Sequence, residues 1–167
     1  MKNLGTSIAI VIFAAVLLFA NVAAAEEQKP SNWSINFTPV LILPSGTDGL
    51  GGGVDPEAKY TLDLGDARLS VGGRLGAYYA KNLFSWTMMP TLRLMVPMGS
   101  FEPYASVGLG YGWLPDAGRD GVAAMGRLGF VYRFSDRFAI GLEGTLQQVD
   151  GSGYRFASFG SMVSFHL

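Results

Sequence analysis

The stretch from Phe101 to Trp113 (FEPYASVGLGYGW) constrains the fold more than any other part of the chain. Its alternate residues fall into two sets: one is apolar with aromatic residues toward both ends, and the other is small or polar and includes Glu102 and three glycines. A period of two is that of a β-strand whose faces meet different surroundings. This combination of faces is typical of a membrane-barrel strand, with lipid outside and a packed polar lumen inside.

The composition indicates that hydrophobic residues are dispersed along the chain. Of the 167 residues, 49% are hydrophobic and 15% are charged, and the mean hydropathy is +0.28, which is more apolar than a usual soluble domain. After residue 25, no apolar run approaches the roughly 18–20 residues of a spanning helix. The net charge of −1 gives no electrostatic basis for nucleic-acid binding. The absence of cysteine excludes disulfides and sulfur-based metal sites.

The first 25 residues have the pattern of a secretory signal peptide. Lys2 supplies a positive start, residues 8–20 are apolar and uncharged, and residues 23–25 are all alanine, which fits the small-x-small pattern before a cleavage site. We expect cleavage after Ala25, which leaves residues 26–167 as one outer-membrane barrel domain. The alternative is an uncleaved amino-terminal anchor helix.

Eight segments of the mature chain share the period of two. They cover residues 33–43, 54–64, 67–79, 86–96, 101–113, 122–134, 138–148 and 154–167. Tilted strands of about this length can cross a bilayer. The predicted connections after the first and fifth segments are long, and those after the second, fourth and sixth are tight, which indicates that both termini lie on the periplasmic side. The sequence therefore predicts an all-β protein, an eight-stranded antiparallel up-and-down transmembrane β-barrel.

The aromatic residues fall into two bands if the odd-numbered strands run outward. Amphipathic rings favour the two membrane–water interfaces, whereas a soluble, lipocalin-like barrel, the rival fold, has no reason to sort them by height. The predicted aromatic girdles are Trp33, Phe37, Phe101, Tyr132, Phe134, Phe138 and Phe165 at the periplasmic rim, and Tyr79, Trp86, Tyr111, Trp113 and Phe159 at the outer rim. Tyr104 falls in the first band, and Tyr78, Phe84, Tyr154 and Phe156 fall in the second. Tyr60 and Phe130 fall at mid-height.

The mature chain resembles the small eight-stranded outer-membrane barrels of the OmpA and OmpX type. Residues 103–112 (PYASVGLGYG) are similar to the recurrent PYxxxGxGYG strand of that superfamily. Gly160, Val163, Phe165 and Leu167 are similar to the terminal-strand signal read by the barrel-assembly machinery, although that signal usually ends in Phe. The resemblance implies a location in the bacterial outer membrane, contact with its lipid and lipopolysaccharide, and a monomer.

The inward faces of the predicted strands carry most of the charges. An eight-stranded barrel has an interior just wide enough to be filled by side chains, so we expect an interior polar network in which these charges are paired or hydrogen-bonded. The predicted members are Asp55, Glu57, Lys59, Asp63, Arg68, Arg74, Arg93, Glu102, Arg127, Arg133, Arg137 and Glu143, together with His166. Asp63 and Arg68 are expected to face each other across a hairpin. Gly108, Gly110 and Gly112 are expected to leave room for inward arginines.

We expect no catalytic, cofactor or metal site. The only histidine, His166, falls at the periplasmic rim, away from the outer leaflet where a serine–histidine–acid arrangement would meet lipid A. Asp48, Asp116 and Asp120 are scattered loop acids, and the glycine-rich residues 49–53 lack the lysine of a phosphate-binding loop.

The function expected from the sequence is that of a non-enzymatic outer-membrane barrel that serves envelope integrity or surface interaction through its extracellular loops. The first alternative is a narrow porin-like pore for ions or small solutes. The second is a hydrolase-type barrel that modifies lipid A.

Overall fold

The structure is a computed structural model that describes residues 32–44, 49–80, 82–150 and 154–167. The predicted signal peptide and Asp48 lie outside the described residues. The strands are β1 (Trp33–Pro44), β2 (Gly51–Asp63), β3 (Arg68–Ala80), β4 (Leu83–Met95), β5 (Phe101–Leu114), β6 (Arg119–Arg133), β7 (Phe138–Val149) and β8 (Tyr154–His166), with a 3-10 turn at Pro115–Ala117 between β5 and β6. In these ranges, no helix is long and apolar enough to span a membrane.

The eight strands form one closed antiparallel barrel in sequence order. Each strand pairs with the next, and β8 pairs back with β1, so the sheet has no free edge. A closed sheet satisfies the backbone N–H and C=O groups of every strand, which hydrocarbon surroundings require because they offer no water as a partner. The structure thus confirms the fold class that the period of two predicts.

The connections are short at both ends of the barrel. The end that holds Trp33 and His166, here called the terminal end, has connections at residues 64–67, 96–100 and 134–137, and the opposite end, the loop end, has them at 45–50, 81–82, 115–118 and 150–153. The expected long loops are wrong, because β2 already begins at Gly51 and β6 at Arg119. Loop length therefore does not distinguish the two ends.

The barrel has an apolar surface and a polar interior, the reverse of a soluble protein. Leu128 and Leu146 on the outer wall are each 69% exposed, whereas Arg74 and Arg93 in the lumen are each 1% exposed. In water, leucine would be buried and arginine exposed, and an extended apolar surface requires hydrocarbon around it. This exposure pattern argues against the secreted lipocalin-like alternative.

The lumen contains apolar clusters beside its polar side chains. Two apolar clusters lie toward the loop end, formed by Val40, Ile42, Tyr78, Ala80 and Phe156 and by Met89, Leu114, Ala123, Met125 and Val149. A third lies toward the terminal end and contains Met95, Tyr104, Val131, Ala139 and Met162. The expectation of a polar lumen is therefore incomplete, because apolar side chains share the interior with the polar ones. Tyr78, Tyr104 and Phe156 point inward and do not belong to the lipid-facing aromatic bands.

The glycines of β5 make room for neighbours other than arginine. A Cβ atom at Gly108 would lie 2.9 Å from Cε of Met125, and a Cβ atom at Gly110 would overlap the carbonyl oxygen of Met88. The predicted packing against inward arginines is therefore wrong. The reason is that this half of β5 borders the apolar part of the lumen, where methionine and the backbone of β4 approach it closely.

We expect the substitution Gly110→Ala to impair barrel formation, because the new Cβ atom has no space beside the Met88 carbonyl. Gly126→Ala is the matched control, since a Cβ atom there would meet nothing within 4 Å. The measurement is the folded fraction after refolding into detergent micelles, read as the band that changes mobility on heating. Equal folded fractions for the two variants would contradict the close strand packing.

Candidate functional site in the barrel lumen

Side chains from three strands converge on one carboxylate of a fourth strand at mid-height. Oε2 of Glu57 on β2 lies 2.5 Å from Nη2 of Arg93 on β4 and 3.4 Å from Nη1 of Arg127 on β6. The Thr91 hydroxyl donates to Glu57 at 2.8 Å, and the Asn36 amide donates at 3.0 Å. All five residues are buried. Four donors therefore compensate the carboxylate for its removal from water.

Arg127 connects this carboxylate to a second one. Its Nη1 lies 3.2 Å from Oε2 of Glu143 on β7, and the Tyr104 hydroxyl donates to the same oxygen at 2.5 Å. The guanidinium carbon of Arg93 lies 4.2 Å from the centre of the Tyr104 ring, which is a cation–π contact. We call the five connected residues Glu57, Arg93, Tyr104, Arg127 and Glu143 the mid-lumen network.

A smaller polar group lies between this network and the loop end. Arg74 forms an ion pair with Asp55 and donates to the Tyr78 hydroxyl at 2.6 Å. Tyr78 in turn donates to Asp55 at 2.5 Å, and its oxygen lies 3.2 Å from Oε1 of Gln147 on β7. The charge of Asp55 is thus compensated by one guanidinium and one phenol within the lumen.

Glu102 holds two arginines at the terminal end. Its Oε1 lies 2.6 Å from Nη1 of Arg68 and 3.2 Å from Nε of Arg133, and its Oε2 lies 3.2 Å from Nη2 of Arg133. Asp63 faces Arg68 in the hairpin register as expected. Its predicted place inside the network is nevertheless wrong: its side chain is 67% exposed and lies 3.8 Å from Arg68, because β2 ends at this residue and the carboxylate reaches solvent.

The remaining predicted members lie toward the terminal end. Lys59 is 3% exposed. Arg137 and His166 are half-buried, and the backbone N–H of His166 donates to the Arg137 carbonyl at 2.9 Å. Among the described residues, no group of three or more His, Cys, Asp or Glu comes together.

Side chains from opposite walls meet across the lumen. In a closed eight-stranded order, β2 lies opposite β6, β3 opposite β7, and β4 opposite β8. The three contacts that join these pairs are Glu57–Arg127 at 3.4 Å, Tyr78–Gln147 at 3.2 Å, and Arg93 Nη1–Met162 Sδ at 3.8 Å. Side chains therefore fill the interior from wall to wall, as the small circumference of this barrel allows.

The sequence reasoning missed the uncharged residues that complete these contacts. The alternation contained a usable signal, because Tyr78 and Tyr104 occupy inward positions of β3 and β5. A tyrosine hydroxyl in an apolar interior needs a hydrogen-bond partner, and the nearest acids provide it. For Met162, which contacts Arg93 through its sulfur, no sequence signal was present.

The twelve residues assigned to the aromatic girdles occupy outward positions of their strands or of the adjoining turn. A chain of ring contacts follows the terminal rim through Tyr132, Phe134, Phe138 and Phe165, with centroids 4.9–6.0 Å apart. Tyr60 and Phe130, expected at mid-height, contact Trp33 and Phe101 at 5.4 and 5.1 Å. These two rings therefore extend the terminal band.

The predicted assembly signal lies at the end of β8 and just beyond it. Val163 and Phe165 take outward positions, and Leu167 is 62% exposed. Gly160 takes an inward position, where a Cβ atom would lie 2.5 Å from Cγ2 of Thr38 on β1. This glycine therefore serves the closure of the barrel, and its recognition by the assembly machinery stays a prediction.

We expect Glu57→Gln to lower the free energy of unfolding by about 3 kcal/mol, because it leaves Arg93 and Arg127 buried without their shared counter-charge. The matched control is Asp63→Asn, which removes the same charge from an exposed pair and should change stability by less than about 1 kcal/mol. The measurement is reversible urea unfolding in lipid vesicles. Equal destabilisation by the two substitutions would contradict the central role assigned to Glu57.

Comparison with known proteins gives structural matches only. No protein-family model matches the chain, and no curated protein matches it significantly. Neisserial surface protein A is similar with a TM-score of 0.57 and 13% identity, over 84% of this chain and 100% of that chain. Ail, the attachment invasion locus protein of Yersinia pestis, is similar with a TM-score of 0.56 and 12% identity, over 81% and 96%. The outer membrane enzyme PagL is similar with a TM-score of 0.57 and 12% identity, over 79% and 99%.

At such identities the matches establish a fold and leave the activity open. They include a surface protein, an attachment protein and an enzyme, so one barrel architecture serves different roles. The closed sheet of this chain, with its apolar surface and polar interior, agrees with the fold of all three matched proteins. The protein has the fold of the small eight-stranded barrels of the bacterial outer membrane, and that membrane is its location.

Proposed function

We propose that the protein is a non-enzymatic, non-conducting outer-membrane barrel that contributes to envelope integrity or to surface interaction at its loop end. The observation that carries this proposal is the contact between Glu57 and Arg127. These side chains belong to opposite strands and approach to 3.4 Å, so they occupy the lumen at the height where an ion would have to pass.

An open path would require several of the interior contacts to separate. Each buried ion pair that loses a partner costs about 3–5 kcal/mol, and Glu57, Arg127 and Glu143 share their partners. Apolar clusters lie between this network and the loop end, and an apolar constriction resists a hydrated ion. The alternative function is a narrow pore. For ions to pass, the mid-lumen network and the apolar clusters would have to rearrange together.

The position of the only histidine supports a role without catalysis. His166 lies at the terminal end of β8, a strand of 13 residues. At about 3.3 Å per residue and with the tilt of barrel strands, this places it roughly 30 Å from the loop end. With the terminal end toward the periplasm, as we propose, a base at that distance cannot serve a serine nucleophile at the outer leaflet, where lipid A lies.

Side-chain hydrogen bonds join the described part of the loop end to the barrel. The turn at residues 115–118 is fixed to β4 by Asp116, which accepts a hydrogen bond from the Phe84 backbone at 2.8 Å. Tyr111 donates to Asp120 at the start of β6. A short connection that is tied to the barrel in this way favours a role in the integrity of the envelope over capture of a partner by a long, adaptable loop.

The partners that we propose follow from this role. The outward apolar wall contacts outer-membrane lipid, and lipopolysaccharide contacts the loop end, where Arg155 is exposed. The barrel-assembly machinery acts during biogenesis through the end of β8. We propose that the folded protein functions as a monomer and needs no cofactor.

In planar bilayers, we expect the wild-type protein to insert without discrete channel events, because the mid-lumen network fills the path. The double variant Glu57→Ala/Arg127→Ala, which removes both sides of the cross-lumen contact, should conduct measurably more. Discrete events of the wild-type protein that disappear or change in Arg74→Ala or Arg127→Ala would contradict the proposal and favour the narrow pore.

We also expect outer-membrane lipids incubated with the folded protein to keep their lipid A unchanged, as measured by mass spectrometry of the extracted lipid. The paired variant is His166→Ala, which should give the same spectrum as the wild-type protein. Loss of an acyl chain with the wild-type protein, and its absence with His166→Ala, would establish the hydrolase alternative.

A further inference from the structure

Several hydrogen-bond donors lie without an acceptor toward the terminal end of the lumen. Ser34 on β1 and Ser164 on β8 are each 1% exposed, and Lys59 on β2 is 3% exposed. The Oγ atoms of both serines lack a hydrogen-bond partner. Lys59 forms no hydrogen bond or ion pair with any other residue in the described part of the chain. Buried polar groups normally have partners, and a buried ammonium group needs one most.

The strand register brings these donors together. Ser34 lies directly opposite Lys59 in the β1–β2 pair and directly opposite His166 in the β1–β8 pair. Residues that oppose each other on one face of a sheet have Cβ atoms about 4.5–5.5 Å apart, and diagonal neighbours such as Ser34 and Ser164 lie about 7–8 Å apart. We call the three residues Ser34, Lys59 and Ser164 the donor row.

The acids of this region are already engaged or face away from it. Glu102 is held between Arg68 and Arg133, and Glu57 is held by Arg93 and Arg127. The other acids at this end, Asp63, Asp66 and Asp136, are exposed at the rim or in the turns. Arg68 and Arg133, which hold Glu102, lie at the same end of the barrel, so this carboxylate is not free to serve the donor row.

We propose that the donor row binds a small oxyanion, a carboxylate or a phosphate, that enters from the terminal end. An ammonium group offers three donors and each hydroxyl offers one, while an oxyanion carries only acceptors. Water could satisfy the serines, but the two carboxylates that act on Lys59, Glu57 and Glu102, are already held by arginines. An oxyanion supplies the acceptors and the charge together.

The geometry gives the anion an entry path and excludes a lipid headgroup. The side chains of Arg68 and Arg133 at the terminal end are 28% and 23% exposed, so this end of the lumen is in contact with water. The donor row faces the lumen, whereas lipid meets the outward positions of the same strands. A bound oxyanion also lies on the terminal side of the mid-lumen network, so the proposal is independent of whether the lumen conducts.

The test uses the purified, folded protein in detergent with inorganic phosphate as the probe. Binding is measured by titration calorimetry at constant ionic strength, with chloride replaced stepwise by phosphate. We expect saturable binding of one phosphate per protein, a loss of affinity of at least tenfold in Lys59→Met, and a loss of several-fold in Ser34→Ala. The control Arg155→Gln removes an exposed cation near the loop end and should bind as the wild-type protein does.

Acetate and phosphate in separate titrations identify which oxyanion the row prefers, and vesicles with anionic lipid but no free phosphate test a lipid source. Binding that is absent, unsaturable or unchanged in Lys59→Met overturns the proposal, as does binding that is lost in Arg155→Gln. If Lys59→Met does not fold, as judged by the heat-dependent mobility of a folded barrel, the proposal is tested with Ser34→Ala and Ser164→Ala instead. Unchanged phosphate affinity in both serine variants then overturns it.

Discussion

The structure depends on one constraint, which is that a sheet surrounded by hydrocarbon must pair every backbone N–H and C=O group within itself. The pairing of β8 with β1 meets this requirement by closing the barrel. Closure with only eight strands then fixes the distance between opposite walls, and side chains of ordinary length reach across it. The contact between Glu57 and Arg127 at 3.4 Å is a direct result. Because side chains alternate along each strand, the same closure places the apolar residues against lipid and the charged ones in the lumen.

The buried charges of the lumen are compensated because several of them share the same ion-pair partners. Glu57 receives two arginines and two neutral donors, and Arg127 serves two carboxylates, so removal of any member leaves a charge uncompensated. Two apolar clusters lie toward the loop end of the lumen. The filled interior and the short connections together support a structural role for the protein within the membrane. In the donor row, the hydroxyls of Ser34 and Ser164 are buried polar groups that no neighbouring residue pairs with.

The sequence predicts the side on which a residue lies far better than the partner it meets. Glu57, Arg93 and Arg127 could be assigned to the lumen because the period of two fixes the face of each position. Their pairing could not, since it depends on the stagger of strands that are distant in sequence. Asp63 has the inward phase but lies where β2 ends, so it is exposed. The glycine-rich residues 51–53 are predicted to lie in a loop because glycine is a turn signal. In the structure, their backbones pair with β1 and β3. Tyr78 and Tyr104 also have the inward phase, which a grouping of aromatic rings by height alone does not take into account.

A double-mutant cycle between Glu57→Gln and Arg127→Met tests most directly whether opposite walls are joined through the lumen. The four proteins would be unfolded reversibly in lipid vesicles, and the coupling free energy would be taken from the difference between the double variant and the sum of the single ones. Contact at 3.4 Å between buried, oppositely charged groups predicts a coupling of at least about 1 kcal/mol. Additive effects, within about 0.5 kcal/mol, would show that the two residues do not interact. The filled lumen and the function proposed from it would then lose their basis.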